Sequence, residues 1–225
     1  MTLNEYPDAE MLAINLANII AGKLSATLMH EDRATLVVPG GTTPGPIFDA
    51  LCDADLDWSR VDVMLSDERW VPEDDPRSNA ALVRQRLLTG RAAQATFLPF
   101  YAGGDDPEDV LSEVEAMILP HLPISVALLG MGADMHTASL FPRGDNLRLA
   151  LDPGAPILVS MRAPGLDCTR VSLSARVLRD ALNLHLVITG AEKHAALDRA
   201  LRLPPEEAPV AAILDEAEVH WADER

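Results

Sequence analysis

Apolar residues recur along the chain at two different spacings, which predict helices and strands in alternation. Helical spacing across residues 11–24 predicts an opening helix, and Asp8 stands where its N-cap is expected. Short apolar runs predict buried strands at residues 36–38, 61–65, 126–129, 157–161, 170–173 and 184–189. Further helices are predicted at 47–51, from Ser78 or Asn79 to 88, at 107–119, and around Lys193. Two last runs, 210–214 and 219–221, predict strands that close a sheet edge.

This order of elements predicts the fold class. Strands that alternate with helices are typical of a mostly parallel sheet with helices on both faces. We therefore expect an α/β fold with a doubly wound sheet, in a Rossmann-like arrangement of three layers. A length of 225 residues, 48% of them hydrophobic, is ordinary for one such unit, so we expect a single domain over residues 1–225.

The charge balance limits the possible partners. The chain has 18 Lys and Arg residues against 35 Asp and Glu residues, and its net charge is −17. No cluster of basic residues interrupts this excess, so neither nucleic acid nor an anionic membrane is expected as a partner. An anionic small molecule would have to be bound by a few local cations, which makes each Lys or Arg beside a glycine loop a candidate.

The cysteines and the N-terminus predict a cytoplasmic protein. Cys52 and Cys168 have no metal-like spacing and are too few for a disulfide framework. The first residues contain no basic region before an apolar stretch, and no segment is expected to approach the roughly 20 apolar residues that span a bilayer. The chain also lacks the Walker phosphate loop, the Gly-x-Ser-x-Gly elbow and the His-Glu-x-x-His metal helix.

Residues 128–142, Leu-Leu-Gly-Met-Gly-Ala-Asp-Met-His-Thr-Ala-Ser-Leu-Phe-Pro, place His136 in a glycine-bearing loop after a predicted strand. Sites in α/β proteins form at such strand ends, so His136 is a candidate general base. Asp134 is a candidate for orienting its ring or holding the substrate. The loop is similar to a dinucleotide fingerprint, but Met135 occupies the third glycine position, which argues against nicotinamide binding. The other histidines are interpreted as structural: His30, His121, His185, His194 and His220.

Two more polar segments follow predicted strands. Gly40, Gly41, Thr42 and Thr43 precede a predicted helix, where backbone N–H groups and hydroxyls are suited to bind phosphate, although glycine also marks plain turns. Asp67-Glu68-Arg69 offers an arginine for an anionic substrate and a carboxylate to orient a neighbour; the alternative is a solvated charge run.

Two further cations are candidates for phosphate binding. Lys193 lies in the first turn of a predicted helix, where a cation opposes the helix dipole unless an anion is present. Arg170 opens a predicted strand, and for this residue a plain surface charge is an equal alternative.

Together these segments resemble the 6-phosphogluconolactonase family. The resemblance rests on Val-Pro-Gly-Gly-Thr-Thr-Pro at 38–44, Ser-Asp-Glu-Arg-Trp-Val-Pro at 66–72, Arg-Ser-Asn at 77–79 and Leu-Gly-Met-Gly-Ala-Asp-Met-His-Thr-Ala-Ser-Leu-Phe-Pro at 129–142. It continues through Arg-Val-Ser-Leu-Ser at 170–174 and Gly-Ala-Glu-Lys at 190–193, and thus covers most of the chain in order.

The resemblance implies hydrolysis of 6-phospho-D-glucono-1,5-lactone in the oxidative pentose phosphate pathway, with no cofactor and no metal. It implies that His136 activates water and that Arg69 stabilises the substrate and its oxyanion, while the carboxylate that orients His136 stays open between Asp67 and Asp134. The loop from Gly40 to Thr43 would hold the phosphate with Lys193 and Arg170. Monomer and homodimer both remain possible.

The chain departs from this family at one residue, Met135, where the family usually has glycine before the histidine. If the backbone there requires a positive φ, the methionine is strained by about 1 kcal/mol or more. Two alternatives fit the sequence less well. Glucosamine-6-phosphate deaminase has a similar loop but has Asp-Glu-Tyr and His-Ile-Ala-Phe where this chain has Asp-Glu-Arg and His-Thr-Ala-Ser. A sugar-phosphate sensor would carry a helix-turn-helix, for which there is no room before the first predicted strand.

Overall fold

The structure, a computed structural model, describes residues 1–223. Within them the strands are β1 Thr2–Tyr6, β2 Ala34–Val38, β3 Val61–Leu65, β4 Asp67–Arg69, β5 Thr96–Leu98, β6 Val126–Gly130, β7 Leu158–Met161, β8 Arg170–Leu173, β9 Leu184–Thr189 and β10 Ala217–Ala222. Seven strands form one parallel sheet in the order β1-β10-β9-β6-β2-β3-β5. The predicted α/β class with a mostly parallel sheet is confirmed.

Helices cover this sheet: α1 Ala9–Leu28, α2 Gly45–Leu51, α3 Asn79–Arg86, α4 Leu111–Ile118, α5 Leu147–Leu151, α6 Ala175–Arg179 and α7 Gly190–Ala200. The predicted caps are confirmed, because Asp8 accepts a hydrogen bond from Met11 N–H at 2.8 Å and Ser78 accepts one from Ala81 N–H at 3.2 Å. A side-chain oxygen at each N-cap pairs a backbone donor that the helix itself leaves unpaired.

The central strands are buried on both faces, as their continuous apolar runs predict, and all five residues of β2 and of β3 are buried. Helix α1 packs against this core through Leu16, Ile20 and Leu24, which are fully buried. It has 20 residues and a mean hydropathy of 1.4, so by length and composition alone it is able to cross a membrane. The expectation that no segment approaches this limit was wrong, although these buried leucines and isoleucines belong to the core of the fold.

Two predicted strands do not join the main sheet. β7 and β8 pair antiparallel with each other, and β8 also pairs antiparallel with β4, which forms a separate three-stranded sheet. The Asp-Glu-Arg segment, predicted as a loop beyond a strand end, is therefore itself a short strand. Apolar runs of this length identify strands but contain no information about which sheet they join.

The sheet edges also differ from the prediction. The run at 210–214 is not a strand, since residues Pro209–Ala212 form a 3-10 helix. β10 is an inner strand between β9 and β1, and neither β1 nor the opposite edge strand, β5, was predicted. The helix predicted over 107–119 divides into a 3-10 turn at Pro107–Asp109, the helix α4 and a second 3-10 turn at Leu119–His121.

The loop after β6 contains left-handed backbone at Met135, whose φ is 67°. The Met135 N–H donates to the carbonyl of Gly132 at 2.9 Å, and the Met135 carbonyl accepts from Val210 N–H at 3.0 Å. The strain anticipated from the sequence is therefore present, because a side chain in this region costs roughly 1–2 kcal/mol. The tight turn and its link to Val210 hold the residue there.

We expect the usual stability order of alanine and glycine to reverse at Met135. Both Met135→Ala and Met135→Gly remove the side chain, but only glycine relieves the positive φ, so Met135→Gly should be more stable by about 1 kcal/mol. The half-exposed Met117 of α4 is the control, where alanine should be more stable than glycine by about the same amount. Chemical denaturation of the four variants measures both differences. Alanine as the more stable residue at both positions would refute the strain.

Candidate active site

A cleft with a cavity of about 410 Å³ opens at the carboxyl ends of β2, β6 and β9. It is the place where the open parallel sheet is expected to bind a ligand. Nine of the ten residues predicted for the site line it, among them Gly40, Gly41, Thr42, Thr43, Asp67, Arg69, His136 and Arg170. Lys193 lines it as well, and only Asp134 lies outside its wall, behind His136.

The loop after β6 holds His136 by its own hydrogen bonds. The ring Nδ1 lies 2.5 Å from Oδ1 of Asp134, and the backbone N–H of His136 donates to the same oxygen at 3.2 Å. Phe141 packs against the imidazole with its ring centroid 4.5 Å away. A carboxylate can only accept, so Nδ1 carries a proton, and in the neutral ring Nε2 then has the lone pair.

Asp134 is ionised in this arrangement. Burial by itself raises the pKa of Asp134, but the hydrogen bonds and the favourable electrostatic interaction with His136 outweigh burial, and the pKa is lowered. Gly132 is required beside the pair, since a Cβ there would lie 2.3 Å from the His136 ring and 2.5 Å from the Asp134 carboxylate. The second glycine of the loop thus makes room for the pair.

The small antiparallel sheet delivers two arginines to the same cleft. Arg69 of β4 lies directly opposite Arg170 of β8 in the ladder, and Asp67 lies opposite Ser172. Residues two apart on a strand share a face, so Asp67 and Arg69 point to the same side. Arg69 donates to the Arg77 carbonyl at 2.5 Å, which fixes its guanidinium.

Arg170 is almost fully buried and has partners of its own. Its guanidinium donates to Cys168 Sγ at 2.7 Å and to Asp167 Oδ1 at 3.3 Å. Arg77 makes a bidentate pair with Asp75 and a further contact of 3.1 Å with Asp167. These ion pairs hold the rim beside Arg170 in place.

The two candidate carboxylates occupy different places. Asp67 accepts hydrogen bonds from Ser66 Oγ at 2.7 Å and from Ser139 Oγ at 2.6 Å. Within residues 1–223 the carboxylate in contact with the His136 ring is therefore that of Asp134, and this contact favours Asp134 over Asp67 as the orienting group. Asp67 instead joins β4 to the segment after His136.

Glu68 joins β4 to the start of α3 beside the cleft. This buried carboxylate accepts from the backbone N–H groups of Arg69, Asn79 and Ala80 at 2.7–2.8 Å, and from Ser78 Oγ at 3.1 Å. Burial raises the pKa of Glu68, and these donors oppose the rise. The carboxylate lies at the N-terminus of α3, where a negative charge is favoured, and it fixes the backbone of Arg69.

The glycine loop after β2 is shaped by Asn79. A Cβ on Gly40 would lie 1.9 Å from Asn79 Oδ1, and Gly41 has a φ of +89°, so both positions require glycine. The Asn79 amide donates to the Asp67 carbonyl at 2.9 Å. Asn79 therefore joins the glycine loop to β4.

Lys193 approaches from α7, which begins at Gly190 with a φ of +83°. Within the described residues its ammonium group has no hydrogen-bond or ion-pair partner, in contrast to Arg69 and Arg170. An unpaired cation in a protein of net charge −17 is available for an anionic ligand.

Three residues of the site, Asn79, Ser139 and Phe141, were not among the functional residues predicted from the sequence. Asn79 is predicted as a possible helix cap and belongs to the Arg-Ser-Asn motif, and Ser139 and Phe141 belong to the motif that contains His136. A useful indication was the position of Asn79 at a helix start shortly after the Asp-Glu-Arg segment. The contacts of Asn79 and Ser139 with Asp67 join separate elements of the fold, and the contact of Phe141 with His136 depends on how the loop after β6 turns back.

Metal-ligand atoms do not gather in this cleft. Within residues 1–223 the three side chains whose ligand atoms lie within 4.8 Å of one another are His185, Glu218 and His220, and none of them lines the cavity. The groups of the cleft itself are suited to acid–base chemistry and anion binding.

Comparisons with known proteins identify the family of the chain. The family model for glucosamine-6-phosphate isomerases and 6-phosphogluconolactonase matches residues 7–221. The chain is 42% identical over 224 residues to a 6-phosphogluconolactonase from Pseudomonas aeruginosa, which covers 97% of this chain and 94% of that protein. It is 39% identical over 226 residues to one from Mesorhizobium japonicum, with coverage of 97% and 94%.

Solved structures show the same relationship. The crystal structure of a 6-phosphogluconolactonase from Shewanella baltica has a TM-score of 0.95 and 30% identity, covering 99% of this chain and 97% of that one. A monomeric glucosamine-6-phosphate deaminase has a TM-score of 0.76 at 18% identity over 98% or more of both chains, which shows a shared fold only. The chain belongs to the glucosamine-6-phosphate isomerase/6-phosphogluconolactonase family.

Proposed function

We propose that this protein hydrolyses 6-phospho-D-glucono-1,5-lactone to 6-phospho-D-gluconate, with His136 as the general base. The observation that carries the proposal is the Asp134–His136 pair at the wall of a cleft that also contains Arg69, Arg170 and Lys193. A base with a free Nε2 beside three cations suits the hydrolysis of an ester that bears a phosphate. The relatives that match along nearly the whole chain are 6-phosphogluconolactonases.

The phosphate would bind between the glycine loop and α7. Lys193 lines the cavity together with Thr42 and Thr43, and the same three residues border the adjoining depression beneath α1. Backbone N–H groups and hydroxyls at a helix start favour an anion, and the unpaired ammonium adds a charge-assisted bond. Arg170 lines the same cavity and would contribute a second positive charge.

The chemical step requires one proton transfer in each direction. His136 Nε2 takes a proton from water as the water oxygen bonds to the lactone carbonyl carbon, and the carbonyl oxygen becomes an oxyanion. When the oxyanion collapses, the bond to the ring oxygen breaks, and the imidazolium returns its proton to that oxygen. The product acid ionises at neutral pH, so each turnover releases one proton.

Arg69 is the proposed oxyanion stabiliser. Its guanidinium is held by the Arg77 carbonyl, and its backbone is held by Glu68, so its position is fixed before substrate binds. A positioned base contributes roughly 10²–10⁴-fold and one oxyanion donor roughly 10²–10³-fold. A lactone is an activated ester, and these contributions suffice without a serine nucleophile, a metal or a cofactor. The reaction belongs to the oxidative pentose phosphate pathway, and we expect it in the cytoplasm.

We expect kcat/KM for freshly generated 6-phosphogluconolactone to exceed that for unphosphorylated gluconolactone by about 10²-fold or more. Two charge-assisted hydrogen bonds to the phosphate, at roughly 1.5–3 kcal/mol each, account for this difference. Proton release measured with a pH indicator gives both rates. Equal values would refute phosphate recognition, and ammonia release from glucosamine 6-phosphate would replace the proposal with deamination.

Lys193→Met should raise KM for the phosphorylated lactone about ten- to hundredfold and leave the slow turnover of unphosphorylated lactone unchanged. Lys23 of α1 is the only other lysine of the chain and does not line the cleft, so Lys23→Met is the matched control and should behave like the wild type. An equal loss on both lactones would mean that Lys193 supports the fold or the chemistry instead of phosphate binding.

A further inference from the structure

Two histidines and a glutamate lie close together on strands β9 and β10, outside the lining of the cleft. His185 of β9 is paired in register with Glu218 of β10, and His220 follows Glu218 by two residues. Paired residues of parallel strands and residues two apart on one strand share a face, so the three side chains lie on the same side of the sheet. The two histidines are fully buried, and Glu218 is 47% exposed.

The ligand atoms form a compact triangle. His185 Nδ1 lies 3.1 Å from His220 Nε2 and 3.8 Å from Glu218 Oε2, and the three ligand atoms lie within 4.8 Å of one another. In a tetrahedral site with bonds of about 2.0–2.1 Å, neighbouring ligand atoms are about 3.3 Å apart. The cluster is therefore close to the spacing of three ligands around one ion before any side chain moves.

We propose that His185, His220 and Glu218 form a binding site for a divalent transition-metal ion of the zinc class. Two imidazole nitrogens and one carboxylate oxygen are the donors that zinc accepts, whereas calcium and magnesium prefer oxygen ligands alone. The fourth position would be filled by water on the exposed side of Glu218. None of the three residues lines the catalytic cleft, so the proposal does not rest on the proposed function.

Tyr6 of β1 supplies a partner behind one ligand. Its hydroxyl lies 2.9 Å from His220 Nδ1, the ring nitrogen that faces away from the cluster. Metal-bound histidines usually engage their second nitrogen in such a contact, which fixes the ring and its tautomer. His185 Nε2 has no partner in the described residues, so the one engaged polar atom of that ring is the nitrogen in the cluster.

Both histidines are in the protonation state that a metal requires. Burial, together with the neighbouring His185, lowers the pKa of His220 to about 4, and burial also lowers the pKa of His185. Other charges act on His185, because Glu218 raises its pKa and Lys23 of α1 lowers it. Both rings are therefore neutral near pH 7, which is the form of imidazole that binds a metal.

Metal binding would hold β1, β10 and β9 together at the edge of the sheet that β1 forms. Ligands on two strands, with Tyr6 on the third, connect elements from opposite ends of the chain. An ion bound only by the folded protein stabilises it by mass action. The site is thus expected to raise the unfolding temperature without taking part in lactone chemistry.

The test uses the full chain, first freed of metal with a chelator, then titrated with Zn²⁺ by calorimetry and with Co²⁺ by visible absorption. We expect one equivalent of Zn²⁺ to bind, and Co²⁺ to show the intense d–d bands of a four-coordinate site.

Variants locate the ion. Glu218→Gln changes a half-exposed side chain and should fold, and it should weaken Zn²⁺ binding at least about tenfold, as should His220→Gln. Tyr6→Phe should weaken binding by about 10–100-fold through loss of the contact behind His220. His30→Gln, at an exposed histidine, and His136→Gln, in the cleft, should bind Zn²⁺ like the wild type.

Two results would overturn the proposal. One is a wild-type protein that binds Zn²⁺ no more tightly than the Glu218→Gln variant does. The other is a Zn²⁺ affinity that falls in His136→Gln but not in Glu218→Gln, which would locate the ion at the catalytic loop.

Discussion

The cleft depends on the parallel arrangement of three adjacent strands, β9, β6 and β2. Their carboxyl ends lie at one edge of the sheet, so the segments that follow them converge in space although they are far apart in sequence. These segments are the glycine loop at Gly40–Thr43, the loop that contains His136, and the start of α7 with Lys193. If one of these strands ran the other way, its functional group would lie at the opposite edge.

The antiparallel ladder between β4 and β8 adds two arginines to the cleft that the parallel sheet forms. It places Arg69 opposite Arg170 near the strand ends. The buried carboxylate of Glu68 then joins β4 to the start of α3. A buried carboxylate is costly unless it is fully paired, and four donors satisfy it here. Cations are thus concentrated at one cleft of a protein whose net charge would otherwise repel an anionic substrate.

The sequence predicted the buried parts of this fold well, because continuous apolar runs and helix caps are local patterns. Strands β2, β3, β6 and β9 and the caps Asp8 and Ser78 were found where they were expected. The edge strands β1 and β5 were missed, since half-exposed residues show weaker patterns, and strand pairing in the second sheet depends on contacts distant in sequence.

The site was predicted in a similar way. Glycine loops and charged residues after apolar runs identified the residues that line the cleft, and the resemblance assigned their roles. The partner of His136 could not be chosen from the sequence, because Asp67 and Asp134 both follow strands that end at the same edge. The approach of Asn79, at a helix start, to Gly40 could not be predicted either, since it joins segments almost 40 residues apart.

The central claim is that Asp134 holds His136 in the tautomer that leaves Nε2 free to accept a proton. Steady-state kinetics of Asp134→Asn test it most directly, because the amide keeps the shape of the side chain but loses the charge. We predict that kcat for 6-phosphogluconolactone falls by about 10²-fold or more, with KM changed by less than about threefold. Asp198→Asn, beside the surface residue His194, is the matched control and should have no effect. A normal kcat in Asp134→Asn would contradict this account.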